Sequence, residues 1–423
     1  MDYGVNLQAR LIEPLDALYA PGDAAAFRLC LVVPQSGALG LIGPSALDAA
    51  VLAAHEINAA GGIAAGPGGL GTAARARRAE GPADARPAGS GRGARRGRVR
   101  ADPCAEHRMD LVLVDGGRAP AAVAAQVAGL VGAGAVDAVA GFHSSDVHRA
   151  VEAVVSGRVP YVFTPPHEGG ARLPGVACTG VGPGEQLTEA IGFLTERHQV
   201  RRWALVGNDY IWPRAVHRAA RDAAAGCHAR VVLERRVPLG QVDRALGRLV
   251  EELRAHRVQA VLVSLIGRDL VAFNRGLRHS GLDRRLVRLS GALEENGLLA
   301  CGGDDTGGLY SCMDSFASLA DDRALALTER HRALLGPTAP VLDSYARGLY
   351  DGVHLVAALA AGRALRADAA LPAAVRRLLA ARGPGPREAW RAAPQGPPRA
   401  ALHLARADGP DLRVVTSFRP GGT

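Results

Sequence analysis

Short apolar runs alternate with segments of helical periodicity along most of this chain, and this alternation limits the folds that the chain can adopt. Runs such as Phe27 to Val33 and Asp110 to Asp115 are typical of buried strands. Helical patterns of ten or more residues follow such runs, as from Pro120 to Gly132. Strands joined by connections of this length form parallel sheets with right-handed crossovers. The pattern therefore predicts an α/β protein.

A second series of the same kind begins after a Pro- and Gly-rich passage that runs from Thr164 to Gly184. Its predicted strands are 202–207, 230–235, 259–265 and 286–290. Because 423 residues exceed what one hydrophobic core usually serves, we predict two α/β lobes. A C-terminal hairpin about the turn Asp408-Gly409-Pro410 is predicted to extend the edge of one sheet.

Residues 66–107 consist mainly of Gly, Ala, Arg and Pro. Such a segment cannot bury enough apolar surface to offset the entropy of ordering, so we predict a disordered insertion there and a linker of similar composition at 384–398. Ten arginines and four acidic residues at 66–108 account for +6 of the net charge of +9. The basic excess therefore does not indicate a basic face on folded structure, and we predict no nucleic-acid partner.

The first 25 residues carry acidic side chains and lack the basic start and apolar core of a secretion signal. We interpret residues 1–25 as an N-terminal extension. The sequence has no run of about eighteen apolar residues, so we do not expect an integral membrane protein. As written, the chain is predicted to be cytoplasmic, whereas a true start that carries a signal would place it outside the membrane.

The six cysteines are scattered along the sequence without the spacing of a zinc site. No pairing of a nucleophile with a base stands out in the sequence either. We therefore predict no metal and no cofactor.

Polar side chains follow two neighbouring strands of the first predicted sheet. Ser144 and Ser145 come after one apolar run, and Thr164 comes after the run that ends at Phe163. Because the carboxyl ends of parallel strands meet at the same edge of a sheet, we expect these hydroxyls to share one crevice. Ser45 is predicted to cap a helix that begins at the same edge. Hydroxyls and free loop amides suit a small polar ligand.

Four motifs then identify a resemblance to a known family. They are LCLVVPQSGALGLIGPS followed by AAHEINAAGG, GRVPYVFTPPHEGG, WALVGNDYIWPRA and RLSGALEENGLL. With these motifs the chain resembles the type I periplasmic binding proteins of the leucine/isoleucine/valine-binding branch, nearest to their amide- and urea-binding subgroup. The resemblance covers about Phe27 to Leu359, with the insertion interrupting it. NDYIWPR is the most specific motif, since a polar, aromatic, Pro and Arg loop after a buried strand is uncommon.

The resemblance implies two Rossmann-like lobes with parallel sheets, joined by three hinge crossings and closing on a ligand. Lobe 1 would comprise residues 26–164 and 292–383. Lobe 2 would comprise residues 165–291 and 384–423.

By position, the resemblance implies that Ser36, Ser145 and Thr164 hold the polar head of the ligand from the first lobe. Tyr210 would close over the ligand from the second lobe, and Glu294 would bind an amino or amide N–H. The other candidate ligand-binding residues lie close to these in the sequence: His143, Ser144, Phe163, Asp209 and Trp212.

Several of these residues also have structural interpretations that stay open. Ser145 and Thr164 could cap a following helix or turn. Asp209 is expected to support its own loop, with Arg214 in an ion pair on the first turn of the next helix. Glu168 and Glu295 are interpreted as solvated charges.

The function that the resemblance implies is non-catalytic binding of a small amide, urea or amino acid, with closure of the lobes as the signal. One use is the receptor of an ABC importer, whose membrane subunits would be the partner. Another is a cytosolic amide sensor that acts on a regulatory protein. An amidohydrolase is the alternative from a different class, and it would require a nucleophile and base or a metal set.

Overall fold

The computed structural model describes residues 7–19, 26–64, 106–319, 322–380 and 401–418. The predicted insertion lies outside the described residues except for Glu106 and His107, which begin a strand, and so does the predicted linker at 384–398. Residues 1–6 and 20–25 of the predicted N-terminal extension also lie outside the described residues.

The first sheet has seven strands, which are β1 (Arg10–Ile12), β2 (Ala26–Val33), β3 (Ile63–Ala64), β4 (Glu106–Asp115), β5 (Ala138–Gly141), β6 (Tyr161–Phe163) and β7 (Val176–Cys178). Six of them follow the order β1-β4-β2-β5-β6-β7, and every pair along this path is parallel. The short strand β3 pairs antiparallel with β4. All eight residues of β2 are buried, as expected for a central strand of a parallel sheet that is covered on both faces.

The second sheet also has seven strands, which are β8 (Arg202–Asn208), β9 (Arg230–Val237), β10 (Ala260–Ser264), β11 (Val287–Ser290), β12 (Leu309–Met313), β13 (Leu402–Asp408) and β14 (Asp411–Phe418). Its order is β14-β13-β12-β11-β10-β8-β9. The five strands from β12 to β9 are parallel, and β13 and β14 add an antiparallel hairpin at the edge. The predicted hairpin is therefore confirmed.

Twelve helices connect the described strands: α1 (Pro14–Tyr19), α2 (Gly43–Ala59), α3 (Pro120–Gly132), α4 (Ser145–Val155), α5 (Pro183–Arg197), α6 (Ile211–Gly226), α7 (Val242–Ala255), α8 (Gly267–Ser280), α9 (Glu295–Cys301), α10 (Asp322–Leu335), α11 (Ser344–Ala361) and α12 (Leu371–Ala380). In the first lobe α2 packs on α11 and α3 packs on α4, while in the second lobe α5 packs on α6. Across the described ranges, we find no helix with the length and apolar character that a membrane span requires.

The chain passes between the lobes three times, as predicted. The passages lie between Cys178 and Pro183, between Met313 and Asp322, and between Ala380 and Leu402. The lobe boundaries differ from the predicted ones, because β7 pairs with β6 in the first sheet and β12 pairs with β11 in the second. Residues 165–178 therefore belong with lobe 1, and residues 292–313 belong with lobe 2.

Two local predictions also need correction. The predicted N-terminal extension is partly integral to the fold, since β1 pairs with β4 and α1 packs against the same strand. Helix α2 begins at Gly43 rather than after Ser45, with a proline in its first turn. Ser45 lies in the first turn of α2, where its buried hydroxyl donates to the Asp343 carboxylate at 2.7 Å.

Candidate functional site

The loops that follow the strands of the two sheets face each other across the gap between the lobes. They line a small cavity of about 30 Å³. Both lobes contribute to its wall, which consists of Leu39, Phe142, His143, Ser144, Ser145, Pro165, Pro166, Tyr210, Trp212, Ile266, Ala292 and Tyr345. The lobes therefore lie close together around this small space.

Five of the ten predicted site residues line this cavity: His143, Ser144, Ser145, Tyr210 and Trp212. The first three follow β5 and the other two follow β8, so the strand ends of both lobes contribute, as α/β geometry predicts. All of them except Ser144 are buried. The structure brings these five residues together, and their contacts with a ligand stay predictions.

Helix α4 begins at the cavity wall. Ser144 occupies its N-cap position with an extended backbone, and the Ser144 side chain makes no hydrogen bond to the first-turn amides. The first N–H groups of a helix have no acceptor inside the helix, and they form the positive end of its dipole. This helix end therefore offers N–H donors next to the hydroxyls of Ser144 and Ser145.

Aromatic rings form the two sides of the cavity. The rings of Tyr210 and Trp212 in the second lobe are stacked with their centroids 6.5 Å apart. The rings of Phe142 and Tyr345 in the first lobe are stacked at 4.7 Å. Trp212 is only 4% exposed, and its indole Nε1–H has no hydrogen-bond acceptor among the described residues. Because a buried indole N–H usually finds a partner, a donor without one is unusual.

Behind the wall, two histidines share one tyrosine hydroxyl. The Tyr161 oxygen lies 3.0 Å from His143 Nε2 and 3.0 Å from His148 Nδ1. His143 Nδ1 lies 3.2 Å from the Ser144 carbonyl oxygen, which can only accept, so Nδ1 carries the proton and Nε2 accepts from Tyr161. Burial lowers the pKa of His143 to about 4. His143 is thus a neutral wall residue at neutral pH, with both ring nitrogens already bonded.

Two predicted site residues of the first lobe, Ser36 and Thr164, donate their hydroxyl hydrogens to groups that do not line the cavity. The Ser36 hydroxyl donates to the Asp115 carboxylate at 2.6 Å. The Thr164 hydroxyl donates to the Gly141 carbonyl oxygen at 3.2 Å, and its methyl group faces Gly352 of α11. Thr164 was expected to share the crevice with Ser145, but packing against α11 turns its side chain into the core.

The other three predicted residues that do not line the cavity support its surroundings. The Phe163 ring is buried and stacks on His148 with 4.1 Å between centroids. The Asp209 carboxylate accepts from Arg214 at 3.0 Å, which confirms the expected ion pair. The Glu294 carboxylate caps α9 by accepting from the Asn296 amide at 2.6 Å.

The two acidic residues that we expected to be solvated are in fact enclosed. One oxygen of Glu168 accepts from Arg149 at 2.5 Å and from Arg172 at 2.9 Å. Burial opposes the ionisation of Glu168, but its own backbone amide, the Ser145 hydroxyl and the two guanidinium groups hold its pKa below the usual range. Burial raises the pKa of Glu295 to about 7. The expectation for both residues was wrong, because neighbours distant in sequence cover them.

Hydrogen bonds cross directly between the lobes at two places beside the cavity, in addition to those between Asn296 and the residues Val341 and Asp343. The Ile211 amide at the start of α6 donates to the Asp146 carboxylate of α4 at 3.3 Å. The Arg268 amide in α8 donates to the Ala38 carbonyl oxygen at 2.9 Å. These bonds span the gap on either side of the cavity, so the structure represents a closed arrangement of the lobes.

The sequence did not reveal seven of the twelve wall residues. Among them, Leu39, Pro165 and Pro166 follow predicted strands, and this position could have identified them. Tyr345 lies in the first turn of α11, far along the chain from the other wall residues of the first lobe. Nothing in its local pattern distinguishes it from an ordinary core residue of a helix.

A metal site requires several ligating side chains directed at one point. Across the described ranges, no group of three His, Cys, Asp or Glu side chains is arranged to hold a metal ion.

Comparison with known proteins shows a family match over most of the chain. The profile of the family described as "Periplasmic binding protein" matches residues 27–411. No curated protein matches the sequence.

Solved structures with the same fold cover nearly the whole chain. A solute-binding protein of an ABC transporter from R. palustris, in complex with benzoate, has a TM-score of 0.67 at 16% identity, covering 94% of this chain and 98% of its own. A branched-chain amino acid transporter substrate-binding protein from Streptococcus pneumoniae, in complex with isoleucine, has a TM-score of 0.65 at 16% identity, covering 93% and 99%. A fatty acid ABC transporter substrate-binding protein from Thermomonospora curvata has a TM-score of 0.69 at 16% identity, covering 95% and 94%. At this identity the likeness concerns the fold.

Proposed function

The chain belongs to the periplasmic binding protein family in its type I form, and from this membership we propose that it is a non-catalytic solute-binding protein. The observation that carries the proposal is the cavity at the strand ends, whose wall comes from both lobes. A ligand held there contacts both lobes only when they are closed. It therefore binds the closed state more tightly and shifts the population toward it.

We propose further that this protein is the substrate-binding component of an ABC importer. The similar structures from R. palustris and Thermomonospora curvata are named as parts of ABC transporters. In this role the membrane subunits would recognise the closed shape. The hydrogen bonds that Asp146 and Ala38 accept from the second lobe fix the position of one lobe against the other in the closed state.

The ligand class predicted from the sequence, a small amide, urea or amino acid, belongs to this proposal. The names of the similar structures mention benzoate, isoleucine and fatty acid. These compounds all carry an oxygen acceptor group, which the N–H groups at the start of α4 and on Trp212 could bind.

A thermal-shift screen of the purified full chain tests the proposal. The screen contains amides, urea, branched-chain amino acids, benzoates and fatty acids. We expect at least one compound to raise the melting temperature, because a ligand that binds only the native state stabilises it. The bound compound should also be recovered chemically unchanged after prolonged incubation. Conversion of the compound would contradict the non-catalytic role, and a screen without any stabilising compound would contradict solute binding.

A further inference from the structure

A groove on the surface of the second lobe runs between helices α7 and α8 and has a volume of about 800 Å³. Its floor consists of apolar and small residues, namely Leu246, Gly247, Val250, Val271, Ala272 and Gly276. A Cβ atom at Gly276 would lie 2.2 Å from a Leu246 methyl carbon, so the two helices are in contact at this point. A Cβ atom at Gly247 would have no described atom within 4 Å beyond its neighbours in the helix. The α7–α8 groove is therefore open above Gly247.

One residue of the first lobe, Leu41, also lines this groove, and it is 36% exposed. Three residues before it, the Ala38 carbonyl oxygen accepts the hydrogen bond from the Arg268 amide that joins the lobes. Arg268 itself lines the groove. Because separation of the lobes moves Leu41 away from α8, the groove has its full shape only in the closed arrangement.

The charged side chains that line the groove are mainly basic. Arg268 and Arg275 lie on one side, and Asp243 is the acidic residue among the lining residues. The Arg268 guanidinium bonds no described residue, and Arg275 donates to the Ala300 carbonyl oxygen at 2.5 Å, which leaves its charge uncompensated. The acidic residue of α8, Asp269, is buried. Helix α8 therefore presents positive charge along the groove.

An amphipathic helix fits an apolar groove of this kind, because its apolar side chains recur on one face. Arg268 and Arg275 lie seven residues, or about two turns, apart on α8. Carboxylates two turns apart on the flank of a bound helix would pair with both. A second copy of this chain that docked groove to groove would instead place like charges together, which is unfavourable. The charge around the groove therefore favours a different, acidic partner.

We propose that the α7–α8 groove docks an amphipathic helix with acidic flanks, which belongs to the membrane subunits of the proposed importer. The apolar face of this helix lies on the groove floor, and its carboxylates pair with Arg268 and Arg275. Since Leu41 joins the groove on closure, the same surface distinguishes the closed lobes from the open ones. The inference rests on the proposed function and identifies the surface that the partner recognises.

Fluorescence anisotropy with a synthetic helical peptide tests the inference on the full chain. The probe peptide is about three turns long, with leucines on one face and glutamates on both flanks. The matched peptide carries lysines in place of the glutamates. We expect the glutamate peptide to bind at least about tenfold more tightly than the lysine peptide, because the groove is basic.

A variant that fills the groove provides a steric test. Gly247→Leu should fold as well as the wild type, because a Cβ atom is free of contacts there and leucine favours a helix more than glycine does. It should weaken the binding of the glutamate peptide by about tenfold or more, since the new side chain occupies the groove. Gly192→Leu is the matched control, at a glycine of α5 where a Cβ atom is equally free, and it should leave the affinity unchanged.

Charge reversal tests the basic side of the groove. The double variant Arg268→Glu and Arg275→Glu should bind the lysine peptide more tightly than the glutamate peptide. The double variant Arg284→Glu and Arg285→Glu changes the net charge equally at two exposed arginines that do not line the groove. This control should keep the preference of the wild type.

The outcomes separate docking from solute binding. Each solute that raises the melting temperature should also tighten the binding of the glutamate peptide, because it shifts the population toward the closed state. Stabilising solutes that leave the peptide affinity unchanged would show that the groove does not sense closure, and solute binding would stand. Equal binding of the two peptides, or no loss in Gly247→Leu, would overturn the docking site. A wild-type dimer in light scattering that Gly247→Leu dissociates would assign the groove to a second copy and overturn the proposal as well.

Discussion

Three carboxyl groups, those of Glu294, Glu295 and Asp343, are buried together where α9 approaches the first turn of α11. Burial raises the pKa of Glu294 and of Asp343, and for Glu294 the neighbouring carboxyl groups add to this effect. Asn296 bridges the lobes at this point by donating to the Asp343 carboxylate at 2.7 Å. Glu294 and Asp343 therefore hold a proton more tightly than exposed carboxyl groups do.

Glu295 makes the stability of the protein dependent on pH. Its pKa is about 7 in the folded protein against an ordinary value of 4.5. The carboxyl group therefore favours the folded state below pH 4.5, and this contribution is lost as the pH rises through 7. Because a tenfold difference in proton affinity corresponds to about 1.4 kcal/mol, the loss is at most about 3 kcal/mol. Urea unfolding at pH 4.5 and pH 8 measures it.

Glu295→Gln should reduce this fall in the free energy of unfolding between the two pH values. The exposed residue Glu251 provides the control, and Glu251→Gln should leave the fall as large as in the wild type. An unchanged pH dependence in Glu295→Gln would show that Glu295 ionises normally in the folded protein.

At the residue level, sequence reasoning succeeded where the partner is local. An ion pair of Arg214 on the first turn of its helix was predicted, and its partner Asp209 lies only five residues away. The enclosure of Glu168 and of Glu295 was not predicted. Arg149 and the Ala317 amide, which bond these two carboxylates, lie about twenty residues away, and no local pattern indicates such contacts.

Close packing between helix α11 and strand β6 depends on a glycine. A Cβ atom at Gly352 would lie 2.5 Å from the Thr164 methyl carbon, and the hydrogen bond of Thr164 to Gly141 restrains that side chain. Gly352→Ala should therefore lower the free energy of unfolding by about 1 to 3 kcal/mol, the usual cost of overpacking. Denaturant unfolding measures the change.

Two further variants test this explanation. Thr164→Ser removes the methyl group, so adding it to Gly352→Ala should recover part of the lost stability. Gly192 lies inside α5, and a Cβ atom added there would have no described atom outside its own helix backbone within 4 Å. Gly192→Ala should therefore stabilise the protein by about 0.5 to 1 kcal/mol. Equal effects of Gly192→Ala and Gly352→Ala would refute the packing argument.

The helices and strands themselves were largely predictable. The predicted helix Pro120 to Gly132 coincides with α3, because its apolar spacing and its proline start are properties of consecutive residues. The short strand β7 was missed, since three residues carry little periodicity. Its place in the first sheet is determined by pairing with β6.

For the whole molecule, closure depends on the approach of Gly267 in the second lobe to Ala38 in the first. Gly267 has a φ of +49°, and a Cβ atom there would lie 2.0 Å from the Ala38 carbonyl oxygen. Gly267→Ala should therefore hold the lobes apart and reduce the closed population about tenfold, if the clash costs about 1.4 kcal/mol. Small-angle X-ray scattering should show a larger radius of gyration than for the wild type.

Gly281 at the other end of α8 is the matched control. It also has a positive φ, of +71°, but no described atom lies within 4 Å of a Cβ position there. Gly281→Ala should thus introduce similar backbone strain and leave the radius of gyration unchanged. If the two variants scatter alike, the contact between Gly267 and Ala38 does not limit closure.

The sequence by itself determined the α/β class and the two series of strands and helices, and the resemblance to a known family implied the three connections between the lobes. The class follows from periodicity within short segments and from the handedness of crossovers, which do not depend on distant neighbours. Only the tertiary structure decided which side chains reach the cavity. Thr164 turns into the core, Glu294 caps a helix, and Tyr345 arrives from a distant helix. The orientations of these side chains depend on packing between segments far apart in the chain, which local sequence does not encode.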